Sequence, residues 1–399
     1  MKTSILYITR NGLLEPLGQS QVLSYLVPLS KTYQFHVISF EKQKNICNEA
    51  HYKEIQSLCK KNNIKWTSLV YLENRRLWSI INGFIQLIKL CIKSIRHDSV
   101  DFIHARSYFP AFVALLMHKI YRMPFVFDMR ALWPEELVEA GRLKEKSIPW
   151  QLIKLFEREC LKKSFAIVSL THAALDYLHK VYPDFSIKEK TVVIPTCANL
   201  DRFALKYRIF SEEHITISCV GSMLSGWFKI NMLKSVVAYM LENYHAVNFE
   251  FLTRDSEEEL MLEIDPENRW TDRMNVESVL FKDMPKRLAK HDGSVFFFTP
   301  NISKLGSSPT RMAEILAVGI PVLTNSGVGD VSTIVEEFGV GELLNSLDPK
   351  EIKISCDNFM KLIQKQNIAQ TCRKTAEDLF SLESGVSKYQ QSYNLLTVN

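Results

Sequence analysis

Residues Lys304–Asn325 read KLGSSPTRMAEILAVGIPVLTN, and this stretch decides the fold class. A turn of small residues, Gly306–Ser308, leads through Pro309 into an apolar helix that ends at Gly319. A buried strand, Ile320–Asn325, follows directly. Proline at the first helical position and glycine just past the last one are typical of helix boundaries. The apolar run without polar alternation predicts a parallel strand that is covered on both faces.

The same alternation of apolar runs and helical patterns extends over the chain in two series. The predicted strands are Ser4–Thr9, Phe35–Phe40, Trp66–Tyr71, Phe102–Ala105, Phe125–Met129, Phe165–Leu170, Val192–Pro195, Ile215–Gly221, Asn248–Thr253, Val279–Lys282, Ser294–Thr299 and Ile320–Asn325. Two series predict two doubly wound parallel sheets in an α/β protein. We place the linker in the polar segment Thr196–Glu213 and predict domains over residues 1–200 and 201–379, with a last helix over 380–399.

The helix after Pro309 is a candidate binding site. In open parallel sheets, ligands bind beyond the carboxyl ends of the strands, where loops enter helices. Free N–H groups and the positive end of the helix dipole suit a diphosphate. Glu314, about one turn into the helix, would accept hydrogen bonds from two ribose hydroxyls. The alternative is a capping turn with a solvated glutamate. Two facing sheets would enclose a cleft between such loops.

The composition predicts an ordinary globular protein of the cytoplasm. The chain has 399 residues, of which 46% are hydrophobic and 23% charged. Its eight cysteines form no CxxC pair and no Cys/His ligand spacing, which is typical of reduced thiols. No signal peptide and no spanning helix of ~20 apolar residues is expected. Residues 1–200 hold 28 Lys and Arg against 17 Asp and Glu, whereas residues 201–399 hold 21 against 27.

The segment around Glu314 resembles the donor site of retaining family-4 glycosyltransferases, which have the GT-B fold of two facing Rossmann-like domains. That family carries Glu-x7-Glu followed by A-x-G-x-P-V. Glu314 matches the second glutamate, and the residues that match the later pattern are Ala317, Gly319, Pro321 and Val322. Gly306 stands in the place of the first glutamate. Further segments resemble the family in the same order: Gly12–Leu29, Val193–Phe203, Ser218–Ser222, Asn325–Asp330 and Phe380–Leu396.

The resemblance implies a nucleotide-diphosphate sugar as donor. The residues that it places at the donor are Gly221, Ser222, Ser307, Ser308, Thr310 and Glu314. Relatives clamp the diphosphate with an arginine and a lysine after the Val-Gly turn. Ser222 stands in the arginine position here, so Arg311 and Lys229 are the predicted cations, with Lys304 as a further candidate. Either base is alternatively a solvated surface residue. A leaving diphosphate needs compensation of its charge.

The N-terminal half supplies candidate catalytic and acceptor-side residues. Arg130 follows the strand Phe125–Met129, at the position where the family often presents a histidine, and Asp128 lies two residues before it. They would bind sugar hydroxyls, or Asp128 would act as a general base; the alternative is an internal Asp–Arg pair that fixes the loop. On the acceptor side we place Gly18, Gln19, His104 and Arg106. A lone histidine such as His104 or His172 is alternatively a hydrogen-bonded structural residue.

The resemblance implies sugar transfer to a glycan or lipid-linked acceptor with retained anomeric configuration. No metal ion or other cofactor is expected, because no Asp-x-Asp motif with strand context and no ligand-spaced cluster is present. Arg75–Arg96 is basic and amphipathic, which indicates either a covering helix or contact with anionic lipid. Nucleic acid is not an expected partner. The alternatives are a nucleotide-sugar epimerase and a non-catalytic partner subunit, whereas the missing GxGxxG disfavours a dehydrogenase.

Overall fold

The computed structural model describes residues 2–71, 77–183, 186–205, 211–280 and 282–397. The chain forms two compact units, one of Met1–Pro195 with Gly385–Asn399 and one of Thr196–Ser384. The end of the chain therefore belongs to the first unit. The predicted boundaries after residues 200 and 379 lie within a few residues of this division.

The described part of the first unit contains a seven-stranded parallel sheet. Its strands are β1 (Ser4–Thr9), β2 (Gln34–Lys42), β3 (Lys65–Tyr71), β4 (Phe102–Arg106), β5 (Phe125–Asp128), β6 (Ala166–Ser169) and β7 (Thr191–Val193). Their order across the sheet is β3-β2-β1-β4-β5-β6-β7. Strands β4 and β5 are buried throughout, which explains their continuous apolar sequence. The strands predicted for this half are confirmed, with ends that differ by one or two residues.

Helices cover the first sheet. They are α1 (Pro16–Gly18), α2 (Ser24–Leu29), α3 (Gln43–Ile46), α4 (Glu49–Lys61), α5 (Leu77–His97), α6 (Tyr108–Tyr121), α7 (Trp133–Glu139), α8 (Ile148–Lys163) and α9 (His172–Val181). A π-helical segment, Gln19–Leu23, joins α1 to α2. Arg75 and Arg76, which begin the predicted basic amphipathic segment, lie outside the described residues. None of the described helices has the length and apolar character that crossing a bilayer requires.

The second unit contains a six-stranded parallel sheet among its described residues. Its strands are β8 (Ile215–Val220), β9 (Val247–Leu252), β10 (Met274–Glu277), β11 (Gly293–Val295), β12 (Val322–Thr324) and β13 (Gly341–Leu343), in the order β10-β9-β8-β11-β12-β13. Its helices are α10 (Ile230–Asn243), α11 (Glu257–Ile264), α12 (Met284–Leu288), α13 (Thr310–Ala317), α14 (Val331–Phe338), α15 (Pro349–Ile363) and α16 (Ile368–Phe380). The fold is thus the predicted α/β arrangement of two doubly wound sheets.

One predicted strand is wrong. The sequence predicts a strand over Val279–Lys282, of which Phe281 lies outside the described residues, but the third strand of this unit is β10 at Met274–Glu277. Strand β10 is at the sheet edge, and its residues alternate between half-buried and exposed. A continuous apolar run identifies strands covered on both faces and therefore misses such an edge strand. Strand β13, which is half-buried, was missed for the same reason.

The last helix, α17 (Leu382–Asn394), begins directly after α16. Its residues Tyr389 and Tyr393 are 2% and 3% exposed, and their rings lie 5.3 Å from Tyr25 and 5.1 Å from Tyr33 respectively. The end of the chain therefore supplies part of the core of the first unit. This apolar contact explains why a mostly polar helix at the terminus is ordered.

Candidate active site

The turn after β8 brings a glycine against an arginine of the second unit. Gly221 has φ +106°, a conformation that side chains disfavour. An ideal Cβ on Gly221 would lie 1.6 Å from Cζ of Arg311, the second residue of α13. Glycine at this position is thus required for two reasons: the backbone angle and the space that the guanidinium occupies.

Asp255 fixes the loop that follows Gly221. The Ser222 hydroxyl donates to Asp255 Oδ1 at 2.7 Å, and the Met223 and Leu224 amides donate to Oδ2 at 2.5 and 3.2 Å. Burial acts to raise the pKa of Asp255, but these hydrogen bonds outweigh it and lower the pKa below its usual value. The carboxylate therefore stays ionised and holds the loop in one conformation. Ser222, which the sequence predicts to bind the donor, is exposed, and its hydroxyl donates to the Asp255 carboxylate that fixes this loop.

Arg311 and Glu314 line a cavity of about 370 Å³ at the carboxyl edge of the second sheet. Gly221 and Ser222 form one side of it, and Arg254, two residues after β9, forms another. The remaining lining residues are mostly apolar: Val220, Leu252, Thr253, Val279 and Met284. The structure thus brings together four of the residues predicted from the sequence. A polar end with cations and a carboxylate beside apolar walls is typical of a ligand site.

Burial perturbs both ionisable groups of α13. It raises the pKa of Glu314 to about 7, although the positive charges of Arg202 and Arg311 act in the opposite direction. It also lowers the pKa of Arg311, an arginine that stays protonated in proteins. A carboxyl group that titrates near neutral pH beside a buried guanidinium is typical of a functional site.

The turn before α13 differs from the prediction at Pro309. Pro309 is the N-cap rather than the first helical residue, and it supplies no side-chain hydrogen bond to the helix start. The Ser308 hydroxyl accepts from the Thr196 amide at 3.0 Å, and the Ser307 amide donates to the Lys304 carbonyl at 3.0 Å. Ser307, Ser308 and Thr310 are half-buried, and none of them lines the 370 Å³ cavity.

The two predicted cations are not equivalent. Arg311 lines the cavity, whereas Lys229 is the N-cap residue of α10 and does not. The Lys304 ammonium lies 3.9 Å from the centroid of the Trp227 ring. Arg254 was missed by the sequence analysis. The available signal was its place two residues beyond the carboxyl end of a buried strand, the same rule that identified the other loops.

Asp128 is the centre of a buried polar network in the first unit. Its Oδ2 accepts hydrogen bonds at 3.2 Å from Arg106 Nη1, at 3.3 Å from His104 Nε2 and at 2.9 Å from the Tyr389 hydroxyl. Asp128 and His104 are 0% exposed and Arg106 is 3% exposed. Burial acts to raise the pKa of Asp128, but Arg130, His104 and Arg106 together hold it well below its usual value.

This network corrects the predicted roles of His104 and Arg106. Their side chains cannot contact an acceptor in this arrangement, because both are enclosed among protein groups. His104 also bonds the Tyr393 hydroxyl through Nδ1 at 3.0 Å, and burial lowers its pKa, which makes it a neutral structural histidine. The sequence left open an internal pair of Asp128 with Arg130; in the structure Arg106 donates to Asp128 at 3.2 Å, and Arg130 lies farther away, at 4.0 Å. The tyrosines of α17 were not predicted.

Arg130 is the member of this group nearest to solvent. It has φ +63°, its side chain is 13% exposed, and its Nε lies 4.0 Å from Asp128 Oδ1. Nη2 contacts Gln21 Oε1 at 3.5 Å, while Nη1 is buried without a hydrogen-bond partner among the described residues. Asp128 Oδ1 also has no hydrogen-bond partner among the described residues, so Arg130 differs from Asp128 in its positive φ and its partial exposure.

The first loop is packed against itself at Gly18. An ideal Cβ there would lie 1.8 Å from the Gly12 carbonyl oxygen, so the close approach that the glycine permits is to backbone and not to a ligand. The side-chain Nε2 of Gln19 lies 3.1 Å from His51 Nε2, and Glu41 Oε1 accepts a hydrogen bond from the Leu13 backbone amide at 2.6 Å. The loop is thus held by the buried Glu41 carboxylate and by a half-buried contact between the Gln19 and His51 side chains. Its predicted acceptor-side role stays a prediction.

Residues 29–202 match the family described as Glycosyltransferase Family 4. No curated protein matches the chain in sequence. Solved structures share the fold over the whole chain. A glycosyltransferase from Rickettsia africae ESF-5 has a TM-score of 0.71 at 15% identity, with 100% of both chains covered. Alr3699/HepE from Anabaena, in complex with UDP, has a TM-score of 0.69 at 14% identity, again with 100% of both chains covered.

A third similar structure is a Listeria monocytogenes protein assigned as a UDP-N-acetylglucosamine 2-epimerase. Its TM-score is 0.58 at 12% identity, with 100% of this chain and 97% of that chain covered. Identities this low show the fold alone. The match to Glycosyltransferase Family 4 covers residues 29–202, which are most of the first unit but less than half of the 399 residues, and the solved structures show the GT-B fold.

Proposed function

We propose that the protein is a retaining, metal-independent glycosyltransferase of the cytoplasm that acts on a nucleotide-diphosphate sugar. The acceptor would be a hydroxyl of a glycan or a lipid-linked glycan. The observation that carries the proposal is the placement of Arg311, Glu314 and the Gly221 turn around one cavity at the carboxyl edge of the second sheet. The complexes of Alr3699/HepE with UDP and with UDP-glucose support a uridine nucleotide as donor.

Each group at this cavity has a role in donor binding under the proposal. The Arg311 guanidinium would pair with the diphosphate, and Arg254 would add a second positive charge at the open side. Glu314, when ionised, would accept hydrogen bonds from the two ribose hydroxyls. Asp255 would preserve the turn that leaves the guanidinium its space. Cations that are already in place stabilise a leaving diphosphate without reorganisation.

The proposed reaction is a front-side displacement. The acceptor oxygen forms a bond to the anomeric carbon, while the bond from that carbon to the diphosphate oxygen breaks. The acceptor proton passes to the leaving diphosphate, which departs on the same face, so the anomeric configuration is retained. Arg311 would bear the charge that develops on the leaving group, and we propose that this guanidinium takes the place of a metal ion.

Donor binding is tested by calorimetric titration of the purified protein with UDP-, GDP- and ADP-sugars. We expect one nucleotide class to bind, and the variant Glu314→Gln to bind it at least ten times more weakly. Glu258→Gln on α11, where the glutamate is exposed, is the matched control and should leave affinity unchanged. Equal affinity of both variants and the parent protein would remove Glu314 from the donor site.

An epimerase is the second candidate, because the Listeria monocytogenes structure shares the fold. The two functions separate in an incubation with UDP-N-acetylglucosamine and no acceptor. A new UDP-sugar epimer in the product would establish the epimerase. Recovery of the donor unchanged, together with transfer once a glycan acceptor is added, would establish the transferase.

A further inference from the structure

The first unit contains a second cavity, of about 510 Å³, whose wall is largely aromatic. It begins at the carboxyl edge of the first sheet, where Arg10 follows β1, Ser107 follows β4 and Trp133 starts α7 after β5. From there it extends between α5, α6 and α8. Its walls on these three helices include Phe84, Phe109, Phe112, Leu152 and Phe156.

The aromatic side chains of this cavity support one another. The ring centroids of Phe84 and Phe112 are 5.3 Å apart, those of Phe112 and Phe156 are 5.6 Å apart, and those of Phe84 and Phe109 are 5.6 Å apart. These are the separations of favourable aromatic pairs. Protein interiors normally fill such space, whereas ligand pockets leave roughly 300–1,000 Å³ open. The cavity is therefore preformed and has the size of a ligand pocket.

The apolar lining continues onto the outer surface of the unit. Phe112 and Leu152, which line the cavity, are 48% and 61% exposed. Ile81 and Ile85 flank Phe84 on the same side of α5 by their spacing and are 45% and 43% exposed, and Ile148 precedes Leu152 by one turn of α8. A contiguous apolar surface of this kind on three helices indicates a binding surface for an apolar partner.

Positive charge accompanies both ends of this surface. Arg10, which is exposed, lines the inner end of the cavity near the sheet edge. Lys89 and Lys93 are exposed on α5, and Lys144 and Lys146 are exposed on either side of Glu145 in the segment before α8. A ligand that suits the whole surface is long, apolar and anionic at one end. A hydrocarbon chain that ends in a phosphate has these properties, and neutral sugars do not.

We propose that the aromatic cavity binds the hydrocarbon chain of a lipid phosphate, with the phosphate beside Arg10 at the carboxyl edge of the first sheet. The proposal rests on the proposed function, because it makes this lipid the carrier of the acceptor glycan. The glycan would then extend from the phosphate at the sheet edge, where ligands of such sheets bind. The exposed apolar rim and its lysines would contact the membrane that holds the lipid.

The test is calorimetric titration with hexadecyl phosphate below its critical micelle concentration. We expect saturable binding, and a loss of affinity of at least tenfold in Leu152→Glu, which places a charge at the cavity mouth. Leu262→Glu is the matched control, because Leu262 is 67% exposed on α11 in the second unit. Both leucines are exposed, so neither substitution disturbs a core, and equal thermal midpoints of the two variants verify this.

A second set of titrations tests the proposed contact between Arg10 and the phosphate. Arg10→Ala should weaken binding of hexadecyl phosphate by about tenfold and leave binding of hexadecanol unchanged. Inorganic phosphate alone should show no saturable binding, because the chain supplies most of the apolar contact. Equal affinity of Leu152→Glu and Leu262→Glu for hexadecyl phosphate would overturn the proposal. So would a Leu152-dependent dimer in sedimentation without lipid binding, because the apolar surface would then join two copies of the chain.

The titrations with nucleotide sugars keep this result separate from the proposed function. Hexadecyl phosphate binding without any nucleotide-sugar binding would support the lipid site and reject the transferase. Nucleotide-sugar binding without hexadecyl phosphate binding would leave the transferase and reject the lipid site. With both present, Leu152→Glu should reduce transfer to a lipid-linked glycan at least tenfold and leave transfer to the same glycan without its lipid unchanged.

Discussion

The guanidinium of Arg311 occupies the space in which a side chain at position 221 would begin. An ideal Cβ on Gly221 lies 1.6 Å from Arg311 Cζ, and the glycine has φ +106°. The turn after β8 and the start of α13 are therefore fitted to each other. This pair links the glycine turn to Arg311, which we propose takes the role of the arginine that the family carries after its Val-Gly turn.

Gly221→Ala should damage both stability and donor binding. The backbone angle alone costs about 1–3 kcal/mol for a residue with a side chain, and the new methyl group must displace Arg311. We expect a lower thermal midpoint and at least tenfold weaker binding of the nucleotide sugar. Gly226→Ala is the control, because Gly226 has open space around its Cβ position and no positive φ. A fully active Gly221→Ala variant would contradict the assigned place of Arg311.

Arg311 and Lys229 should differ in how much their positive charges contribute to stabilising the leaving diphosphate. Arg311 lines the cavity of about 370 Å³ that we propose binds the donor, and Lys229 does not, so Arg311→Ala should reduce the rate of transfer by about 10²–10³. Lys229→Ala should change it by less than about threefold. The rates are measured with saturating acceptor and varied donor. A larger effect of Lys229→Ala than of Arg311→Ala would reverse the assignment.

Donor binding should depend on pH through Glu314. Burial raises its pKa to about 7, so the ionised form that accepts ribose hydrogen bonds is depleted as pH falls below 7. We expect the affinity for the nucleotide sugar to be several-fold higher at pH 8 than at pH 6. Glu314→Gln should remove this difference. The measurement is calorimetric titration at both pH values, and an unchanged pH dependence in the variant would contradict the assignment.

The same group makes folding stability depend on pH in the opposite sense. Its folded pKa is above the usual 4.5, so the folded state holds the proton more tightly than the unfolded state does. Its contribution is fully present below pH 4.5 and is lost as pH rises through about 7. Glu314→Gln should therefore raise the thermal midpoint at pH 8 more than at pH 5. Equal shifts at the two pH values would show that Glu314 is not buried as an acid.

Asp128→Asn should destabilise the first unit strongly. The variant leaves Arg106 buried without its carboxylate, and breaking a buried pair costs about 3–5 kcal/mol. A fall in thermal midpoint of about 6 °C or more is expected for a unit of this size. Asp176→Asn is the control, because Asp176 pairs with Lys188 at the surface, where ion pairs contribute about 0–1 kcal/mol. Equal midpoints would contradict the buried network.

The sequence predicted the sheets and the donor helix well, because both depend on local patterns. Near-continuous apolar runs identified strands covered on both faces, and the turn before Thr310 marked the start of α13. Edge strand β10 lacks such a run and was missed. Arg311 and Glu314 stand out as candidates in the sequence because they follow a recognisable turn, whereas Arg254, which lines the same cavity, has no motif around it.

The buried network of the first unit shows a different limit of sequence analysis. Arg106 and Asp128 end strands β4 and β5, where sequence rules predict ligand-binding residues, and His104 lies two residues before the end of β4. Tyr389 and Tyr393 cover them from a helix more than 250 positions away along the chain. Only the tertiary structure shows that these polar groups hydrogen-bond to each other, although Arg106 Nε and Asp128 Oδ1 have no partner among the described residues. Their residue types alone are compatible with either role.

The hydrogen bonds from Tyr389 to Asp128 and from Tyr393 to His104 also constrain how the protein can be made. The first unit consists of Met1–Pro195 and Gly385–Asn399, so its core is incomplete until residues 385–399 have been synthesised. During translation, all residues of the second unit, Thr196–Ser384, are synthesised before residues 385–399 of the first unit. A fragment that stops at Pro195 would therefore lack two core tyrosines and leave a buried charge cluster open to water.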